Sequence, residues 1–199
     1  MILGEAPGDQ ERFAGRPFVG PAGRLLRTSL EKVGLAAEEI WLSNVVKYFK
    51  FASRGKRRLH KSPNEGEIKP CRWWLDLERR LLSPRLNVSL GTSAASSLTG
   101  NRAPLSPRRG NVETALDCGP VLITGHPSII LRLSWPAKLE ALAQFKGDLK
   151  LQQAYCALKI CVCMRGPNPG FRWLRVAGKR SLMSELLVYL AWLGQAPSI

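Results

Sequence analysis

Ile40-Trp-Leu-Ser-Asn-Val-Val46 leads, through Phe51, into the cationic stretch Arg54-Gly-Lys-Arg-Arg-Leu-His-Lys61, then Ser62-Pro63-Asn64 and a helical pattern. The apolar, β-branched run at 40–46 reads as a buried strand that continues toward Phe51. Asn64 is a helix cap, with Glu65 and Glu67 in the first turn and a helix running to about Leu82. The cationic stretch therefore reads as a loop at the C-terminal edge of a strand, where open α/β sheets bind ligands. The same pattern repeats outward in both directions. Toward the N-terminus, Ile2-Leu3 is a strand stub, followed by the turn Gly4-Glu-Ala-Pro-Gly8. A Gly/Pro-rich stretch, 14–23, then precedes a helix over Leu25–Val33 that Gly34 ends. Toward the C-terminus come a strand at Leu86–Leu90, a short helix from Thr92 to Leu98, and a loop and hairpin region from Gly100 to Pro120. A strand at Val121–Thr124 and helical segments at 129–133 and 136–155 follow. Strands alternating with helices predict an α/β domain with a mainly parallel sheet.

Composition narrows the partner. The chain has 199 residues, 30 Lys plus Arg against 15 Asp plus Glu, and a net charge of +15. That balance points to a polyanion, nucleic acid ahead of an anionic membrane. Hydrophobic content of 45% excludes a disordered basic tail. No apolar run reaches membrane-spanning length, and the N-terminal residues are unlike a signal peptide. Five cysteines, without the spacing of a disulfide framework, fit a reducing, intracellular compartment, and a cytoplasmic location is expected.

Several residues carry possible chemistry. The cations of 54–61 either form a solvated face or bind phosphates, and His60, one of two histidines, is a nucleophile or acid/base candidate among them. The Gly4–Gly8 turn is either an ordinary βα loop or a close approach to a flat ligand. Phe18 either plugs the core or offers a stacking platform to a base. Asn44, polar inside a buried strand, is either a structural tie or an amide presented to a ligand. Glu5, His60 and His126 all follow apparent strands, so they can converge on one edge. From about Cys156 the character changes. Residues 150–199 hold seven Lys/Arg and one acid, and Ser181–Leu193 has the pattern of one apolar helix. This part reads as a poorly packed basic extension, with a membrane-surface helix as the alternative. Cys161 and Cys163 have no matching Cys/His pair for a metal site.

The motifs taken in order resemble the uracil-DNA glycosylase superfamily. Gly4-Glu-Ala-Pro-Gly8 and Gly15-Arg-Pro-Phe-Val-Gly-Pro-Ala-Gly-Arg-Leu-Leu26 look like the iron–sulfur type, family 4 and its relatives. Asn44-Val-Val-Lys-Tyr-Phe-Lys50, Lys56-Arg-Arg-Leu-His60 and His126-Pro-Ser-Ile-Ile-Leu-Arg132 look like family X, whose members become covalently linked to uracil-containing DNA. The resemblance covers residues 1 to about 150. It implies a three-layer α/β sandwich around a central, mainly parallel four-stranded sheet over residues 1–155, with 156–199 as an extension of unknown role.

The resemblance also implies roles. Glu5, Ala6, Pro7 and Gly8 would line a uracil pocket, and Asp9 would stand near the scissile bond. Phe18 would stack on the flipped base and Asn44 would read its edge. His126 would donate to uracil O2, while Lys47, Arg58 and Arg132 would hold the active-site loop or the DNA backbone. His60 would capture the sugar. The implied substrate is uracil-containing DNA, single- or double-stranded, and a monomer without membrane association is expected. Three departures stand out: Ala6 where family X commonly has Gln, Arg12 where a second acid is usual, and no N-terminal Cys-x-x-Cys. Of the ligands to the implied [4Fe–4S] cluster only Cys71 has a counterpart, and a cluster held by cysteines needs four. Single-turnover capture through His60 is the leading expectation. Turnover with water as acceptor, and an inert DNA-binding remnant, are the rivals.

Overall fold

Strands whose alternate residues are all apolar must be covered on both faces, and helices between parallel strands provide that cover. The computed structural model describes residues 1–36, 40–55, 57–117 and 119–157, and there the chain follows this rule. Four strands run parallel in the order β2 (Leu42–Asn44), β1 (Ile2–Gly4), β5 (Asn87–Leu90) and β7 (Pro120–Thr124). A fifth, β6 (Val112–Thr114), pairs antiparallel with β7 at one edge. The expected mainly parallel α/β architecture is present, and the antiparallel strand adds to it from within the region read as loop and hairpin.

Alternation assigns the layers. Ile2, Val88, Leu90 and Leu122 face one core with Leu26 and Leu30 of α2 (Pro21–Lys32), Ile130 of α6 (Pro127–Arg132), and Phe145 and Leu149 of α7 (Ala137–Ala157). Leu3, Val121 and Ile123 face the other, with Cys71 and Leu75 of α3 (Glu65–Leu82) and Ala94, Ala95 and Leu98 of α4 (Thr92–Thr99). The remaining helices are short: α1 (Asp9–Ala14) and α5 (Leu105–Arg108). Asn64 caps α3 as expected: its side chain accepts from Glu67 N, while the Glu67 carboxylate accepts from Asn64 N at 2.7 Å.

The main difference from expectation lies in the cationic stretch. It is not a loop on the main sheet. Phe51–Arg54 (β3) and Arg57–His60 (β4) pair antiparallel as a separate two-stranded ribbon, with His60 opposite Phe51. The strand expected to continue toward Phe51 stops at Asn44, and Gly55 with φ +59° turns the ribbon. Expectations for residues 158–199, including the Ser181–Leu193 helix and Cys161 and Cys163, fall outside the described residues, as does that for Lys56.

Candidate active site

Because β1, β2, β5 and β7 are parallel, their C-terminal ends open on one edge of the sheet. Gly4, Asn44, Leu90 and Thr124 end these strands, so the residues that follow share a rim. The turn after β1 lies along the exit of β2: Val45 N donates to Gly4 O and Val46 N to Glu5 O, both at 2.9 Å.

Gly4 is the floor. A Cβ there would lie 2.5 Å from Asn44 Oδ1 and 2.7 Å from Phe18 Cζ, so only glycine lets amide and ring approach this closely. Phe18 is 5% exposed and Asn44 6%. The Asn44 side chain makes no hydrogen bond to another described residue, which for a buried amide marks it as available to a ligand. Phe18 belongs to the core and also borders the site, so the two readings of it are not exclusive. Its backbone is left-handed, φ +57°, uncommon for a residue with a bulky side chain and frequent at functional sites.

A tie that the sequence reading did not single out fixes this loop. The buried carboxylate of Glu11 accepts from Gly20 N at 2.7 Å and from Gly8 N at 3.1 Å. It joins the β1–α1 turn to the Phe18 loop, so Glu11 is a positioning residue. The local signal was a Glu three residues after a turn glycine, the place from which a carboxylate reaches back to a helix start. Gly23 completes the loop, since a Cβ there would run into the Phe18 carbonyl.

His126 caps α6 across from Phe18, their ring centroids 6.5 Å apart at 30°. Ser128 N donates to His126 Nδ1 at 3.1 Å, and Ser128 Oγ lies 2.8 Å from the same nitrogen. Nδ1 thus carries no proton in the neutral ring, which leaves Nε2–H as donor. Burial first, and the charges of His60 and Arg132 next, push the His126 pKa down to about 4 against the pull of Glu5 and Glu11. The ring is therefore neutral at pH 7. Glu5 is held by Ser93 of α4, whose Oγ donates to it at 3.0 Å.

The other expected residues are placed differently. Ala6, Pro7 and Gly8 form the turn between β1 and α1. Asp9 starts α1 and ion-pairs with Arg58 of the ribbon at 3.2 Å, without hydrogen-bond geometry at Asp9 Oδ1. His60 ends the ribbon, exposed, its ring 6.1 Å from that of Phe49. Arg132 is exposed at the end of α6. Lys47 is not brought to this group. Its ammonium sits against both Glu78 oxygens of α3 at 2.8 Å and Ser43 Oγ at 2.7 Å. Burial lowers its pKa and Glu78 opposes that, as expected of an internal pair that braces β2 against α3.

Cys71 is a free thiol buried in the second core, and no group of three or more metal-binding side chains occurs among the described residues. The described residues therefore do not fit a four-thiolate cluster, and no step below runs through one. No described helix is long and apolar enough to cross a membrane.

Comparison with known proteins identifies the family. The profile of the "Uracil DNA glycosylase superfamily" matches residues 1–150. The "Type-4 uracil-DNA glycosylase" of Pyrobaculum aerophilum is 33% identical over 158 residues, 76% of this chain and 74% of the relative. The protein of the same name from Thermotoga maritima is 33% identical over 133 residues, 66% of either chain. That from Sulfurisphaera tokodaii is 37% identical over 92 residues, 39% of its own length. Fold and matches first define a class, the DNA N-glycosylase type of hydrolase. The chain belongs to the uracil-DNA glycosylase superfamily.

Proposed function

We propose that the protein excises uracil from DNA and that His60 then captures the abasic sugar. The observation that carries the excision reading is the pairing of an unengaged, buried Asn44 amide with a neutral His126 across Gly4 and Phe18. A base inside a duplex is out of reach of such a pocket, so the nucleotide must be flipped out, at about a few kcal/mol. A pyrimidine ring then rests on the Phe18 side. Asn44 offers one donor and one acceptor, the complement of uracil O4 and N3–H.

As the C1′–N1 bond breaks, its electron pair goes to uracil and charge gathers on O2. A neutral imidazole with its proton on Nε2 stabilises that anion by donating a hydrogen bond there. A donor already in place has no reorganisation cost at the moment of reaction. The sugar becomes an oxocarbenium ion, as in glycoside hydrolysis. A His60 nitrogen lone pair adds to C1′, and the resulting imidazolium releases its remaining N–H proton to solvent. The product is a neutral N-glycosyl imidazole with no ready leaving group, so each molecule reacts once. The feature that supports His60 for this role is its ring, exposed at the ribbon end beside Phe49.

Mixing the protein with uracil-containing single-stranded DNA and running a denaturing gel tests both parts. The expected result is a heat- and detergent-stable band at about one DNA per protein. His60→Ser removes that band while uracil release continues with repeated turnover, water now being the acceptor. A band that survives His60→Ser overturns the capture role. A wild type that turns over many equivalents without a band leaves a hydrolytic glycosylase, and one that binds uracil-DNA and ordinary DNA alike without base release is a binding module.

A further inference from the structure

Beside the pocket, α1 and the ribbon form a second surface that the excision reading does not use. Phe13 of α1 is 71% exposed, far out for an aromatic ring in a chain with two full cores. It is not isolated. The Arg58 guanidinium lies 5.0 Å from its ring centroid and the Arg12 guanidinium 6.0 Å. The same two guanidinium groups lie 5.6 and 5.9 Å from the half-exposed ring of Phe51. Phe51 stacks on Phe49 at 5.3 Å and 19°, and Phe49 faces His60. An unbroken row of rings and guanidinium planes thus leads from exposed Phe13 to His60 at the ribbon end. Asp9 pairs with Arg58, which leaves the row with a net positive charge.

Burial does not account for Phe13, since most of its ring is in water. Guanidinium groups at cation–π distance attract a ring and hold it in place, and most of the Phe13 side chain remains open to solvent. A row of flat rings and cations is the surface that single-stranded nucleic acid binds, with bases on rings and phosphates on cations. A duplex, whose bases are already stacked, offers no free face to Phe13.

We propose that Phe13 is a stacking platform for an unpaired base next to the flipped uracil, with Arg12 and Arg58 holding the intervening phosphate. This makes the protein a reader of single-stranded DNA flanks. The inference rests on the proposed excision activity for its place in the reaction, but the platform itself is testable without catalysis.

The test measures binding of uracil-free single strands by fluorescence anisotropy, using one strand with all bases and one of the same length with abasic sugars throughout. Wild type should prefer the base-bearing strand. Phe13→Ala should weaken binding to that strand by roughly 5- to 150-fold, the range of one base–aromatic stack. Binding to the abasic strand, which Arg12 and Arg58 still hold, should fall far less, and Phe13→Trp should restore the preference. An equal loss on both strands, or no loss on either, overturns the platform. Uracil release by the same variants from single-stranded and duplex substrates should then show a larger loss on the single strand. If wild type releases no uracil, the excision reading fails, while the anisotropy result still decides the platform.

Discussion

The rim pocket and the cationic ribbon lie side by side and are built in opposite ways. Asn44, Phe18 and Glu11 of the pocket are buried, His126 is partly so, and all are held from several directions: Glu11 joins two loops, Ser128 fixes the His126 ring, and Gly4 brings Asn44 and Phe18 together. Among the described side chains the ribbon is largely exposed, it pairs with no other described strand, and it meets α1 through the Asp9–Arg58 ion pair and cation–π contacts. Chemistry on the base needs fixed donors whose geometry is paid for at folding. Contact with phosphate and sugar needs reach and positive charge, and tolerates adjustment. The difference predicts that substitutions in the pocket act on the chemical step, while those in the ribbon act on what happens to the DNA around it.

The largest effect should come from His126→Ala. It removes the donor placed for charge on the leaving base, and loss of one such donor typically lowers kcat about 10²–10³-fold. Single-turnover uracil release measures it, with binding to uracil-free DNA as the control that should change little. A comparable fall in binding would make His126 a structural cap of α6 and would erase the division between pocket and ribbon.

The same histidine links the pocket to stability. Its folded pKa, about 4, lies below the unfolded value near 6.5, so between those pH values the unfolded chain binds the extra proton. Stability from this group is fully present above pH 6.5 and is lost as pH falls toward 4. The full difference is about 3 kcal/mol at 1.36 kcal/mol per pH unit. Urea unfolding at a series of pH values should show this slope in wild type and lose it in His126→Gln. An unchanged slope in the variant would assign the pH dependence to other groups.

What the sequence made legible follows the same division. The sheet was readable because apolar runs such as Val121–Ile123 sit at both cores and allow one reading. Gly4, Phe18, Asn44 and His126 were readable as candidates because polar, aromatic and glycine residues at strand ends break that pattern. The ribbon was not readable as strands. Both of its faces are largely exposed, so Phe51–Arg54 carries no apolar alternation, and the pairing depends on a turn at Gly55. Lys47 shows the limit of a role carried over by resemblance: the expected contact was the active-site loop or the DNA backbone, but its partner Glu78 stands on another element, 31 residues away. Glu11 was passed over because its role depends on Gly20 arriving through tertiary folding.

The smallest effect concerns the seam between the two regions. Asp9 belongs to α1 beside the pocket, and its visible partner is Arg58 of the ribbon. Both side chains are partly exposed, 42% and 33%, so the pair is screened by solvent and is worth about 0.2–1 kcal/mol. Asp9→Asn removes its charge and keeps its shape. If Asp9 only positions the ribbon, the fraction of released uracils that end as a His60 adduct should fall, by no more than about fivefold. Uracil release itself should stay near the wild-type rate, because the contacts that hold His126 and Asn44 do not involve Asp9. Quantifying free uracil and covalent band in the same reaction separates the two readouts. A hundredfold loss of uracil release would place Asp9 at the reacting bond, and the seam would then belong to the pocket.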